Sequence, residues 1–371
     1  MESIPLSLYI HFPWCIKKCP YCDFNSLEIQ RDTSISEYVS ALGSDLKSEL
    51  INEQRDELVS IFLGGGTPSL IPGTELNALF KSIENNFDFL NTEITIEANP
   101  GSSEFSNFRD YKFLGINRLS IGAQTFNERA LKKIGRIHKS SDIKNAFDFA
   151  RSACFENINV DIMYGLPDQT AFEAIDDLDK AIALDPEHIS WYELTIEPNT
   201  RFFKNPPKVP SDIKKERMFE AGKEKLLAAG YAQYEISAYA KEGKQSKHNT
   251  NYWEFGDYLG IGAGAHGKLT TANEVKRTKK TRNPRDYLKD RQSLVRKVNA
   301  EELMTEFLLN ALRLTNGFDL SLFEQRCHQN RSNLGPFLLA ALDKNLIVVD
   351  GDRVIPTERG SLFLNELVLL A

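Results

Sequence analysis

Six short runs dense in β-branched and aromatic residues punctuate the first half of the chain: "LSLYIHF" (6–12), "LVSIFLG" (58–64), "EITIEAN" (93–99), "NRLSIGA" (117–123), "NINVDIM" (157–163) and "HISWYELTI" (188–196). Such runs read as strands, because branched and aromatic side chains suit a pleated surface. A strand that returns parallel to the one before it needs a long, usually helical crossover, and each gap here has room for one. The spacing therefore predicts a parallel (β/α) array. Six units fall short of the eight that close an ordinary barrel. The expected fold is α/β, an open, partial (β/α)6 barrel of TIM-like winding.

The first crossover, "SISEYVSALGSDLKSELIN", starts with Ser34 three residues ahead of Glu37, a capping-box spacing, and repeats Tyr38, Leu42, Leu46 and Leu50 on one helical face. After the sixth run, the Pro- and Asn-rich "EPNTRFFKNPPKVPSD" leads into a helix expected from Ile213 to Ala229. We place the core domain at 1–237 and a smaller C-terminal α+β, partly helical domain at 238–371. That second part holds the Gly-rich "GDYLGIGAGAHGK", the basic "KRTKKTRNPR" (Lys276 to Arg285, read as a solvated loop), and helices near Glu301–Leu314 and Asn333–Lys344. It closes with "LIVVDGDRVIP", where Asp350-Gly351 signals a hairpin, and a final apolar helix.

A length of 371 residues with 41% hydrophobic content supports two such domains. The formal net charge of −7 argues against a broad nucleic-acid footprint, so no nucleic-acid partner is expected. The first apolar run begins after three residues with no charged n-region, and no stretch approaches the roughly 20 apolar residues that span a bilayer. A cytoplasmic location follows, compatible with a membrane-bound partner. There thiols stay reduced, and clustered cysteines point to a metal rather than a disulfide.

The cluster is "HFPWCIKKCPYCDFNS", with Cys15, Cys19 and Cys22 directly after the first strand. A structural zinc site would need a fourth ligand from His11, Asp23 or a remote residue. An iron–sulfur cluster on three cysteines instead leaves one iron open to a substrate or cofactor. Chemistry in such barrels gathers at the C-terminal strand ends. Those ends carry "GGGTPS" (64–69), Glu97, Gln124, Asp161 and Thr195. Each alone is explicable as a turn or a cap; together they surround one mouth.

CxxxCxxC on the first βα loop with GGGTP after the second strand resembles the radical S-adenosylmethionine (SAM) superfamily. Within it the chain is similar to the oxygen-independent coproporphyrinogen III oxidase group, and especially to its haem-chaperone branch, HemW. The likeness runs through "FLGGGTPSL", "ITIEANPG", "NRLSIGAQTF", "LKKIGRIH", "NVDIMYGLPDQT", "SWYELTIEPNT", "HNTNYW" and "GDYLGIGAGAHG", essentially the entire chain. It implies that Cys15, Cys19 and Cys22 bind a [4Fe-4S] cluster whose fourth iron is chelated by the methionine end of SAM. It further implies that Tyr9, Tyr21, Gly65, Gly66, Thr67, Glu97, Gln124, Arg136, Asp161 and Thr195 contact SAM, some of them a second SAM molecule in the oxidase. The implied chemistry is electron transfer from the reduced cluster into the sulfonium, giving methionine and a deoxyadenosyl radical.

Two departures from the oxidase pattern count against porphyrinogen decarboxylation. Phe24 stands where the oxidase has a further cysteine, and this chain begins only a few residues before its first strand. "HNTNYW", His248 to Trp253, matches the chaperone branch's HNxxYW signature and implies that His248 binds haem, with Tyr252 and Trp253 offering flat faces. Read alone, His248 is a loop histidine; His266 is the competing ligand. The basic loop would meet haem propionates or water. The resulting expectation is a haem chaperone that hands haem to an unidentified acceptor protein. The alternative is an oxygen-independent coproporphyrinogen III oxidase, and a third reading is an RNA-modifying radical enzyme. Whether the protein is itself an enzyme stays open. Cys154 and Cys327 read as small core residues and His11 as a packed barrel residue; His138 and His188 carry no motif.

Overall fold

The computed structural model describes residues 4–88, 90–101, 107–272 and 274–371; the three residues ahead of the first apolar run lie outside it. All six expected strands form: β1 (Leu6–Phe12), β2 (Ser60–Gly65), β3 (Glu93–Ala98), β4 (Arg118–Gln124), β5 (Ile158–Tyr164) and β6 (His188–Glu193). They lie side by side in chain order, every pair parallel. The longer crossovers carry α1 (Ile35–Glu49), α2 (Gly73–Glu84), α3 (Ser140–Ser152) and α4 (Ala171–Ala183). Ser34 does cap α1, its hydroxyl accepting from Glu37 N at 3.2 Å, and Thr170 with Glu173 forms a full capping box on α4.

Along these strands apolar and polar residues alternate. Leu8 and Ile10, Ile61 and Leu63, Ile94 and Ile96, Leu119 and Ile121, Val160 and Ile162, and Ile189 and Trp191 all join the core beneath the helices. Successive side chains point to opposite faces, so Tyr9, Phe62, Glu97, Arg118, Ser120, Asn159, Asp161, His188 and Ser190 turn inward and line one cavity. A closed barrel of this type fills its interior with Val, Ile and Leu. This lumen is largely polar and must satisfy its groups internally or with a ligand.

The sheet runs on past residue 237. Helix α5 (Asp212–Ala228) leads into β7 (Ala232–Glu235) and β8 (Ala238–Ala240), which extend the sheet beyond β6. Helix α6 (Lys247–Trp253) then precedes β9 (Asp257–Ile261), which pairs parallel with β1 from the other side. β10 (His266–Thr270), β11 (Val275–Lys279) and β12 (Leu294–Lys297) follow antiparallel, so among the described residues the sheet holds twelve strands, with β12 and β7 outermost and a bridge from Glu235 of β7 to Leu314.

The basic stretch expected as a solvated loop is therefore partly strand. Lys280, 1% exposed in its side chain, bonds Asp45 (2.5 Å) and Glu49 (2.6 Å) of α1, and the Tyr287 hydroxyl donates to the same Asp45 at 2.6 Å. Arg285 is solvated as expected but stands in a short helix, Pro284–Lys289, rather than a loop: its partner Asp32 lies 3.4 Å away and both are largely exposed.

Beyond β12, α7 (Ala300–Ala311), the helix Gly335–Asp343 and the hairpin Ile347–Asp350 with Arg353–Pro356 enclose a second core around Phe307, Phe318, Phe323, Phe337 and Leu367. The hairpin turns at Gly351, whose φ is +57°. The final apolar helix is two short ones, Glu358–Leu362 and Leu364–Val368. Cys327 lies in this core as expected, whereas Cys154 is exposed: it follows the end of α3 in a left-handed turn (φ +64°) that carries it off the buried face. No helix of the described residues is long and apolar enough to cross a membrane.

Candidate functional site

The loop after β1 is closed by its own backbone. Trp14–Cys15 pairs with Leu27–Glu28, and Lys18 Nζ donates to the carbonyls of Phe24 and Ser26, both at 2.9 Å. Asn25 Nδ2 ties it to the rest of the sheet through Ala263 O (2.9 Å) and Arg282 O (3.0 Å). Cys15, Cys19 and Cys22 are free, half-buried thiols on this loop. Burial pushes the Cys15 and Cys22 thiols up, partly opposed by hydrogen bonds from Thr67 to Cys15 and from the Phe24 backbone to Cys22.

Among the described residues no three His, Cys, Asp or Glu side chains already converge as a metal site, so coordination would draw the thiols together. Their chemistry fits iron and sulfide: soft thiolates are the usual ligands of such clusters, and a metal ion overrides the burial effect by deprotonating them. His11 is engaged elsewhere, Nδ1 with the Tyr9 hydroxyl and Nε2 with Asn25 O, each at 2.9 Å. Asp23 is exposed.

The end of β2 is joined directly to this loop. Gly66 N donates to Phe12 O (2.7 Å) and Thr67 N to Trp14 O (2.8 Å). A Cβ on Gly66 would lie 2.5 Å from Trp14 O. Gly65, at φ +114°, leaves the same room for the His11 ring. Only glycine permits that approach. Gly65 N donates to Glu97 Oε2 at 3.0 Å. Burial, then the nearby Asp161, pushes the Glu97 carboxyl up to about 8, so it is mostly protonated near neutrality.

A polar chain completes the mouth. Arg136 Nη1 sits 3.8 Å from Cys19 Sγ, and its Nη2 donates to Gly122 O and to Asn99 Oδ1 (2.6 Å); Asn99 Nδ2 in turn donates to Thr67 Oγ1 at 2.7 Å. Gln124, held at φ +69°, accepts from the Tyr192 hydroxyl at 2.6 Å. Tyr21 packs beside Phe202 in a small apolar cluster with Met163, Leu166 and Leu194. Tyr9 and Asp161 lie deeper, in the lumen. Thr195 stands two residues past the end of β6, exposed, without a part in this chain. Asn99 and Tyr192 were not singled out from sequence; both sit at C-terminal strand ends, the signal that marked Glu97.

At the opposite end, α6 forms a floor. The Ser246 hydroxyl caps it, Asn251 Nδ2 donates to Ser7 Oγ (2.9 Å), and His248 N donates to Glu93 Oε1 (3.2 Å). HNTNYW is thus a helix rather than a loop, and His248 is 4% exposed. Its Nδ1 bonds Ser60 Oγ at 2.8 Å, and its ring packs on Phe62 (4.8 Å) and Tyr252 (4.9 Å). Burial, then the Arg118 charge, lowers its pKa to about 3, leaving a neutral imidazole. Tyr252 is stacked on Tyr258 at 4.1 Å and Trp253 carries the Arg313 guanidinium at 4.1 Å, so one face of each is covered. His266, the competing candidate, opens β10 and is exposed.

Residues 9–181 match the Radical SAM superfamily model, and residues 298–363 match that of the HemN C-terminal domain. The solved structure of coproporphyrinogen III oxidase (HemN) from Escherichia coli, a radical SAM enzyme, shares the fold, with a TM-score of 0.83 over 99% of this chain and 90% of that one at 22% identity. The two family matches place the chain among radical SAM proteins with a HemN-type C-terminal domain. Proteins named heme chaperone HemW are similar over nearly the full length: 46% identical in Haemophilus influenzae (99% of this chain, 97% of that protein), 45% in Escherichia coli (99% and 98%) and 36% in Bacillus subtilis (97% and 97%). The chain belongs to the HemW heme chaperone family.

Proposed function

We propose that the protein is a haem chaperone: it binds haem and passes it to a haem-requiring acceptor protein, working in the cytoplasm. The observation that carries this reading is the 45–46% identity over 99% of the chain to proteins of that name. Phe24 at the position of the oxidase's further cysteine agrees with it.

In this reading Cys15, Cys19 and Cys22 hold a [4Fe-4S] cluster, and Tyr9, Tyr21, Gly65, Gly66, Thr67, Glu97, Gln124, Arg136, Asp161 and Thr195 hold SAM. When bound, the cluster supplies an electron to the SAM sulfonium. The chain's own residues orient and shield. The Arg136 guanidinium offsets negative charge at Cys19. Gly65 and Gly66 let the His11 ring and the Trp14 backbone pack directly against the strand end beside the cysteine loop, and the protonated Glu97 keeps a second carboxylate charge out of the space beside Asp161. His248 belongs to the haem site of this proposal. Its ring lines the cavity above α6, with Nδ1 held by Ser60 at 2.8 Å.

The alternative, coproporphyrinogen III oxidase, is favoured by the shared HemN fold. An anaerobic assay of the cluster-reconstituted protein with coproporphyrinogen III, SAM and reductant separates the two. The chaperone reading expects no protoporphyrinogen; steady conversion would overturn it in favour of the enzyme.

A further inference from the structure

The cavity above α6 contains a cation that, among the described residues, no anion contacts directly. Arg118, the first residue of β4, lines it and is 2% exposed. Its Nε has no partner, and among the described residues no acceptor hydrogen-bonds or ion-pairs with the guanidinium. A buried charged group whose donors lack hydrogen-bond acceptors is unfavourable.

The acids nearby are committed elsewhere. Asp161 feels the Arg118 charge, yet its oxygens accept from Asn159 Nδ2 (2.9 Å) and Ser120 Oγ (3.2 Å). Glu97 is bonded to Gly65 N, and Glu93 accepts from His248 N. The remaining walls are neutral or donating. His188 is held by Asn159 and the Tyr234 hydroxyl, His248 by Ser60, and the Trp253 indole N–H, on a residue lining the same cavity, has no acceptor. The cavity measures about 380 Å³, within the small-molecule range. A planar guanidinium matches a carboxylate with two parallel hydrogen bonds.

We propose that this closed end of the barrel binds a carboxylate, anchored on Arg118 with the Trp253 indole as second donor. The site goes beyond the chaperone reading and does not depend on it. A free small acid and the propionate arm of a haem share this chemistry; only the choice between them rests on the haem proposal.

The test is calorimetric titration of the cluster-reconstituted protein with sodium acetate in chloride buffer, at constant ionic strength and without oxygen. Saturable one-site binding is expected, weaker by about tenfold or more in Arg118→Gln and unchanged in Arg285→Gln. Thermal unfolding gives a second reading. In chloride alone Arg118→Met should melt at or above the parent, because a buried cation whose donors lack acceptors has gone, and acetate should raise the midpoint of the parent only. The proposal is overturned by absence of saturable acetate binding to the parent, by equal binding in Arg118→Gln, or by a midpoint for Arg118→Met well below the parent's, which would mark a purely structural arginine. Haemin binding that weakens in Arg118→Gln and is competed by acetate would assign the site to a propionate; haemin binding indifferent to both would assign it to a free acid.

Discussion

At its C-terminal mouth the barrel presents backbone and sulfur: three glycines with no side chain, a loop stitched by main-chain carbonyls, and three half-buried thiols. At its floor it presents packed side chains: Ser7, Ser60, His248 and Asn251 bond one another or the strands, and the rings of Phe62, His248, Tyr252 and Tyr258 pack in a row. The mouth is arranged for something to arrive, while the floor is arranged to stay closed. Side-chain substitutions at the mouth should therefore change cluster and SAM binding with little effect on folding, whereas those at the floor should change how firmly the chain folds together with what its cavity binds.

The largest expected effect lies at the mouth. Cys19→Ala should abolish the cluster absorbance and iron content while the circular dichroism spectrum stays that of the parent; iron retained at the parent's level would break the assignment of this loop. Next comes the packing of α1 against the segment after β11. Lys280→Ala strands Asp45 with its charge in the interior and should cost about 3–5 kcal/mol in denaturant unfolding, with iron binding intact. Gly65→Ala forces a side chain into the left-handed region against the His11 ring and should cost about 1–3 kcal/mol, alongside weakened SAM binding measured by equilibrium dialysis.

The two ends should also respond to pH in opposite senses. Glu97 is protonated in the folded state up to about pH 8 but ionises above about 4.5 when unfolded, so folding takes up a proton and stability falls as pH rises between those values. His248 stays neutral down to about pH 3 when folded but binds a proton below about 6.5 when unfolded, so stability falls as pH drops through that window. Thermal midpoints measured across pH should lose part of the upper slope in Glu97→Gln and part of the acid slope in His248→Gln. The smallest effect belongs to Arg285→Ala: its pair with Asp32 is exposed, and removal should shift stability by less than about 1 kcal/mol.

How far each end was legible in the sequence follows from the same contrast. The mouth depends on residue types that few other roles demand at that spacing, and its glycines and cysteines lie within short segments. The six strands were legible because each carries its own branched and aromatic run. The floor was not, because His248 meets Ser60 across 188 residues and Asn251 meets Ser7 across 244. Nor was the sheet's continuation through β9: its pairing with β1 joins segments from opposite parts of the chain, and the charge of "KRTKKTRNPR" concealed a lysine whose acidic partners lie in α1. Arg118 read as one more strand residue, and only the alignment of six strands shows that it faces a cavity. Cys154 misled because the helical pattern before it ends in a turn that local periodicity does not announce.

The central claim is that this barrel carries haem, and it is tested most directly by anaerobic haemin titration of the cluster-reconstituted protein beside its His248→Ala variant, followed by absorbance. Tight, stoichiometric binding by the parent that weakens in the variant is expected. Absence of saturable haemin binding by the parent would contradict it.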